Sequence, residues 1–400
     1  MSRLVNPAIN LGLVATAVTC LSLAWRTGFW TAGAAGAFAA LCLVGLRLGR
    51  RAAPKAPVET EATPRPAAAP RRTREVSGDT LVEQMLSQGR EALLLRPQIA
   101  ANLSPDDVAL AQAALDEAMS IVPDGPVIMR ARCHEDLEDA DVSRGERLIE
   151  VEGFFLDRWL VTNADYQRFV DDGGYEQMSL WDESIWSAVL GFTDKTGHPG
   201  PRFWHDGHFP DGLADHPVVG VSWFEAGAYS RWVGKRLPTD PEWVKAGSWP
   251  VAAEGARPIQ RKFPWGEAMD RGLVQLWGTG QNGTTAVTAT PGSASVGGVQ
   301  QLVGNVWEWT STNFGIWEPA GRKIETSLPL KSIRGGAYDT YFDSQANCQF
   351  QSGESPLSRK HNIGFRCGLG FCDVIQAGAA GDENEESNSS LLPAHEETHA

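Results

Sequence analysis

Two helix starts, each written out in full, constrain this chain more than any other feature. Ser222 is followed three residues later by Glu225, and Thr239 by Glu242. Each pair has the form of a capping box, in which the hydroxyl accepts from the backbone N–H three residues on while the carboxylate reaches back. Pro241 stands just inside the second helix, where a missing N–H costs nothing. After the first box Trp223, Ala226, Tyr229, Trp232 and Val233 recur at helical spacing, a pattern that reads as a core face rather than a stacking surface for ligands. Around these helices Gly, Pro, Trp and polar residues dominate, a composition suited to short strands and much irregular backbone. Spacing alone gives a mixed α+β domain.

The rest of the chain divides by composition. Residues 8–25 and 29–46 are charge-free apolar runs, each long enough at about 1.5 Å per residue to cross a hydrocarbon core of roughly 30 Å. Only Arg26, Thr27 and Gly28 separate them, flanked by Trp25, Phe29 and Trp30, so residues 1–51 are expected to form two transmembrane helices in a hairpin. Arg47, Arg50, Arg51 and Lys55 follow the second run, which places both ends on the cytoplasmic side of an inner membrane. The alternative is a cleaved secretion signal beginning at Arg3. Residues 52–75 are a Pro/Ala-rich linker, and 373–400 an acidic tail with little to bury, read as disordered. Residues 76–120 are expected to be a helical pair. Ser104 caps, Pro105 follows, and Val108, Ala111, Leu115, Met119 and Val122 share a face that either docks on the main domain or receives a partner. A net charge of -14 argues against nucleic acid.

Three motifs carry a resemblance. They are Gly220-Val-Ser-Trp-Phe-Glu-Ala226 with Arg236-Leu-Pro-Thr-Asp-Pro-Glu-Trp243, then Leu302-Val-Gly-Asn-Val-Trp-Glu-Trp309, then Arg334-Gly-Gly-Ala-Tyr338 with Gly364-Phe-Arg366. Together they resemble the formylglycine-generating enzyme, or sulfatase-modifying factor, family over residues 121–372. The resemblance implies a C-type-lectin-like α+β fold, strands at 121–129 and 151–157, and a first helix opening at Thr162 or Asn163 with Tyr166, Phe169 and Val170 inward. It implies a calcium loop whose candidate ligands are Gly304, Asn305, Val306 and Glu308, with the plain alternative that Asn305 and Glu308 only hydrogen-bond the loop. A second such loop would involve Gln275, Leu276, Asn282 and Thr284, with Asn282 where an acid is expected.

Enzymes of that family oxidise a substrate cysteine through copper held by two thiolates five positions apart. Here those positions are Thr340 and Gln345, which cannot hold Cu(I), so no copper is expected. Positions matching three of the family's structural cysteines hold Ser230, Gly247 and Phe350, while Cys367 remains. The loss fits a reducing compartment. The altered groove is expected to present Thr340, Tyr341, Asp343, Gln345, Asn347, Cys348, Gln349 and Gln351 to a polar ligand. His198, His205, His208 and His216 have no ligand-pair spacing and read as an ordinary loop. The sequence thus points to a membrane-anchored, non-catalytic module binding a protein or peptide. The alternative is an enzyme of the same superfamily with altered metal or hydrolytic chemistry near Asp343.

Overall fold

The computed structural model describes residues 78–130, 146–251, 257–280, 282–317, 323–325 and 330–375. All lie in one compact unit, Arg74–Ala400. The apolar runs at 8–25 and 29–46, the linker, Cys133 and the acidic tail beyond 375 lie outside the described residues. The integral-membrane partnership through two helices is corrected here: among the described residues no helix is long and apolar enough to cross a membrane.

Local signals set the helices. In α7 (Trp223–Trp232) Ser222 Oγ accepts from Glu225 N at 3.2 Å while Ser222 N donates to Glu225 Oε2 at 2.8 Å. In α8 (Asp240–Ser248) Thr239 and Glu242 form the same reciprocal pair. Thr162 and Asp165 repeat the device at α5 (Asn163–Asp171). Each box satisfies N–H groups that a buried helix end would otherwise orphan. The apolar faces then meet. Tyr166, Phe169, Tyr229, Trp232, Trp204 and Phe365 form one aromatic core, with Tyr166 stacked on Tyr229 at 5.4 Å between ring centroids.

Before this core come α1 (Gly78–Ser87), α2 (Glu91–Leu94), α3 (Pro97–Ala100) and α4 (Pro105–Ala118). Ser104 caps α4 as expected. The helix nevertheless stops at Ala118, and Met119 and Val122 reach the core from strand β1 (Met119–Val122) instead. Val82, Leu94, Leu95, Ala111, Leu115, Phe155 and Leu369 pack as one cluster, so this helical segment docks on the three-stranded sheet that contains β1. In that sheet β4 (Phe154–Asp157) lies antiparallel between β1 and β11 (Gly368–Gly370), with Phe155 opposite both Ile121 and Leu369.

The expected strand at 121–129 is two strands. Pro123 has no N–H for a ladder, and the chain turns into β2 (Gly125–Arg130), which pairs with β3 (Glu146–Val151). The strand at 151–157 divides likewise at Gly153, where a Cβ would lie 2.3 Å from the Phe371 ring. A second sheet has the order β10–β5–β8–β9, built from Ile363–Gly364, Trp307–Asn313, Lys331–Arg334 and Gln351–Glu354. β6 (Gly315–Trp317) and β7 (Lys323–Glu325) form a separate ribbon, and α6 (Trp186–Val189) is a single turn.

Buried ion pairs lock these layers. Arg366 binds both carboxylate oxygens of Glu308 at 2.7 Å. Arg334 meets Asp240 at 2.7 Å. Lys235 joins Glu91, at 2.9 Å in the helical segment, to Asp157, at 3.1 Å in β4. Burial alone would lower the Lys235 pKa, but Asp157 and Glu91 prevail and raise it, so the ammonium stays charged.

Candidate functional site

The site grows out of the turn after β8. Gly335 and Gly336 both take positive φ, +95° and +79°, and a Cβ on Gly335 would sit 2.4 Å from Leu302 O. Only glycine permits that approach. The turn folds the 337–345 loop over the 302–305 loop, where Tyr338 N donates to Asn305 O at 3.0 Å. Thr340 is then locked inside: its Oγ1 accepts from Ala337 N at 2.8 Å and its carbonyl from Trp277 N at 3.2 Å. Gln345 ends a short 3-10 turn, half-buried. The two positions matched to the copper thiolates therefore hold a structural hydroxyl and an amide.

The expected polar groove does not form as one surface. Asn347 is buried, its Oδ1 accepting from Gln349 N at 2.9 Å and Phe350 N at 3.0 Å, and its Nδ2 donating to Ser344 O at 2.6 Å. Gln349 reaches the other way, to Ile128 O at 3.1 Å. Gln351 donates to Asp240 Oδ2 at 2.5 Å. Cys348 is buried with its Sγ against Gly247, where a Cβ would be 3.0 Å away. Backbone groups of a buried loop need partners, and these polar side chains supply them. Of the expected set, Tyr341, Asp343 and Gln345 remain at the surface.

What they join was not expected. Tyr341 is 65% exposed, Phe342 60% and Trp277 53%. The Trp277 and Tyr341 ring centroids are 6.5 Å apart, and those of Tyr341 and Phe342 5.1 Å. Arg271 fastens this face from behind, with Nη2 on Asp343 Oδ1 at 2.6 Å and Nη1 on Trp277 O at 3.2 Å. Beside it His361 Nε2 lies 3.5 Å from Asp339 Oδ2, and burial raises the Tyr338 pKa with help from Asp339. The signal in the sequence was an aromatic inside each of two polar loops, but nothing local brings 277 to 341.

The calcium ligands do not fit the ion. Glu308 is fully buried, with both oxygens taken by Arg366 and a third bond from Trp243 Nε1 at 2.9 Å. The guanidinium supplies the positive charge that a cation would bring. Asn305 uses its whole amide, Oδ1 accepting from Thr285 N and Nδ2 donating to Thr285 O and Gln301 Oε1. Gly304 O accepts from Val306 N at 2.9 Å. In the second loop the Thr284 hydroxyl is 3.0 Å from His216 Nδ1, and Gln275 Nε2 donates to Gly283 O. The plain alternative, that Asn305 and Glu308 hold the loop by hydrogen bonds, matches this geometry.

Nor do the histidines form a common ligand set among the described residues: His205 and His208 exchange backbone hydrogen bonds, at 2.9 and 3.0 Å, and the others go elsewhere. His198 contacts Thr196, His205 contacts Asp206, and His216 contacts Thr284, with burial lowering the His216 pKa. Among the described residues no group of three or more His, Cys, Asp or Glu is arranged to hold a metal ion. Asp194 organises their loop. Burial opposes its charge, but donors from Gly207 N, Thr196 Oγ1 and N, and His198 N outweigh that and bring its pKa to about 2. Ser230 Oγ lies 3.3 Å from Cys367 Sγ, so one position lacking a family cysteine faces the cysteine that remains.

Residues 106–369 match the model of the sulfatase-modifying factor enzyme 1-like domain. A hercynine oxygenase of Mycolicibacterium smegmatis is 37% identical over 265 residues, 62% of this chain and 60% of that protein. The formylglycine-generating enzyme of Mus musculus is 31% identical, over 55% of this chain and 67% of that protein. The inactive Cα-formylglycine-generating enzyme 2 of Mus musculus is 31% identical, over 64% of this chain and 86% of that protein. The chain thus spans about three-fifths of the hercynine oxygenase's length.

Proposed function

The chain belongs to the sulfatase-modifying factor enzyme 1-like family, and on that premise we propose that it is a binding module for a polypeptide, without copper chemistry. The C-type-lectin-like topology is part of this reading. One observation carries it. At the loop where family enzymes place their thiolates, this chain presents Tyr341 and Phe342 as exposed aromatics, joined by Trp277 from a second loop and held by the Arg271–Asp343 pair. Clustered exposed aromatics flanked by a charged pair have the composition of a recognition surface, where Tyr and Trp supply contact area at low entropic cost. Among the described residues Cys367 and Cys372 form no disulfide, which supports placing the domain on the reducing, cytoplasmic side.

The experiment is capture with the double variant Tyr341→Ala, Phe342→Ala. Both side chains are exposed, so the fold should survive while polypeptide capture is lost. Unchanged capture would remove the aromatic face from the account. A second reading has its own support: the 37% identity to a hercynine oxygenase, together with the His361–Asp339 pair beside Tyr338, favours an oxidising enzyme. Stoichiometric redox metal in the purified chain would establish that reading at the expense of the first.

A further inference from the structure

A cavity of about 510 Å³ opens between the 188–202 segment and the loop carrying Leu357 and Arg359. Its lining shares no residue with the aromatic face, so the two stand or fall separately. The volume lies in the range of roughly 300–1,000 Å³ that ligand sites occupy.

The walls are preorganised. Arg359 donates Nη1 to Thr193 O at 2.9 Å, Nη2 to Gly200 O at 2.5 Å and Nε to Gly220 O at 3.1 Å, so one guanidinium ties three backbone segments together. Its charge is answered by Glu225, 2.9 Å from Nε and from Nη2. It also lies 5.4 Å from the Phe192 ring centroid. On the other wall Asp194 accepts from Thr196, His198 and Gly207 and closes its own loop. A rigid wall lowers the ordering cost of binding.

Two charged side chains in the lining take no part in this framework. Lys195 and Arg202 are exposed, and neither has an ion-pair or side-chain hydrogen-bond partner among the described residues. Next to them are Phe192, Ala188 and Leu357, the last 50% exposed. Unpaired cations beside bare hydrocarbon select a ligand with an anion on an apolar stem. Polyanions fit poorly, because Asp194 stands in the wall and the chain carries a net charge of -14.

We propose that this cavity binds a carboxylate carried on an apolar group, with Lys195 and Arg202 receiving the carboxylate and Phe192, Ala188 and Leu357 the hydrocarbon. A free carboxylic acid and the C-terminal residue of a polypeptide offer the same chemistry. Titration calorimetry separates them with four probes: 3-phenylpropanoate, its amide, and a short peptide ending in phenylalanine as acid and as amide. Each acid that binds should do so about fivefold or more tightly than its amide, as expected for charge-assisted hydrogen bonds. Lys195→Gln and Arg202→Gln should each weaken the acid by a similar factor without moving the melting temperature, and Leu357→Asn should weaken acid and amide alike. Tighter binding of the peptide acid assigns the polypeptide source, and the reverse order the free acid. No heat from either acid, equal affinity for acid and amide, or undiminished binding by the Lys195→Gln, Arg202→Gln double variant would overturn the proposal.

Discussion

Glu308→Gln should destabilise the domain by about 3 kcal/mol and should do so equally in calcium and in chelator. The side chain is fully buried and accepts three hydrogen bonds, two from Arg366 and one from Trp243. Removing one partner of a buried pair strands the other charge, at a cost of about 3–5 kcal/mol. The low end applies because Arg366 keeps Gln300 O at 2.9 Å, Asp157 O at 3.1 Å and Arg158 O at 3.3 Å. Glutamine also preserves the volume and one acceptor. The assay is urea unfolding of both proteins, each in millimolar calcium and in chelator. At about 2–4 °C of melting temperature per kcal/mol, the loss should also appear as roughly 6–12 °C in a thermal scan. Glu308→Leu combined with Arg366→Met should recover most of the loss, because neither charge is then left buried alone. The reasoning fails if calcium stabilises the wild type and the Glu308→Gln variant loses that gain, since Glu308 would then be a cation ligand. A loss below about 1 kcal/mol, the scale of a surface pair, would refute it from the other side.

Two further outcomes follow from the buried charges. Lys235→Met strands Glu91 and Asp157, so limited proteolysis should cut within 78–118 at much lower protease levels, and urea unfolding should show a loss of about 3 kcal/mol. Asp194 has a pKa lowered from 3.8 to about 2, so its contribution is present above pH 4 and disappears as pH falls toward 2. Acid unfolding of Asp194→Asn should lack about 1–2 kcal/mol of the wild-type pH dependence in that window, and identical acid profiles would reject the assignment.

The helix starts were legible because capping is local. Ser104, Ser222 and Thr239 cap where the sequence places them, and Thr162 is the cap of the two residues, Thr162 or Asn163, that the sequence left open, since each hydroxyl and its N–H lie three residues apart. Strand limits were less so: Pro123 and Gly153 divide segments whose apolar content reads as continuous. The site was least legible, for a physical reason. Asn347, Gln349 and Gln351 look like surface amides, yet a buried irregular loop draws polar side chains inward to satisfy its backbone and Asp240. Whether Glu308 faces a cation or a guanidinium depends on Arg366, 58 residues away. A comparably long separation in sequence hides Trp277 from Tyr341.

The central claim is that the Trp277–Tyr341–Phe342 face receives a polypeptide. Photo-crosslinking from a benzophenone side chain at Phe342, compared with one at Leu110 on α4, tests it most directly, since both positions are exposed and Leu110 lies in neither proposed site. The account predicts a discrete polypeptide adduct from position 342, abolished by Tyr341→Ala, and none from position 110. Adducts of the same kind from both positions, or none from 342 in cells that express the chain, would contradict it.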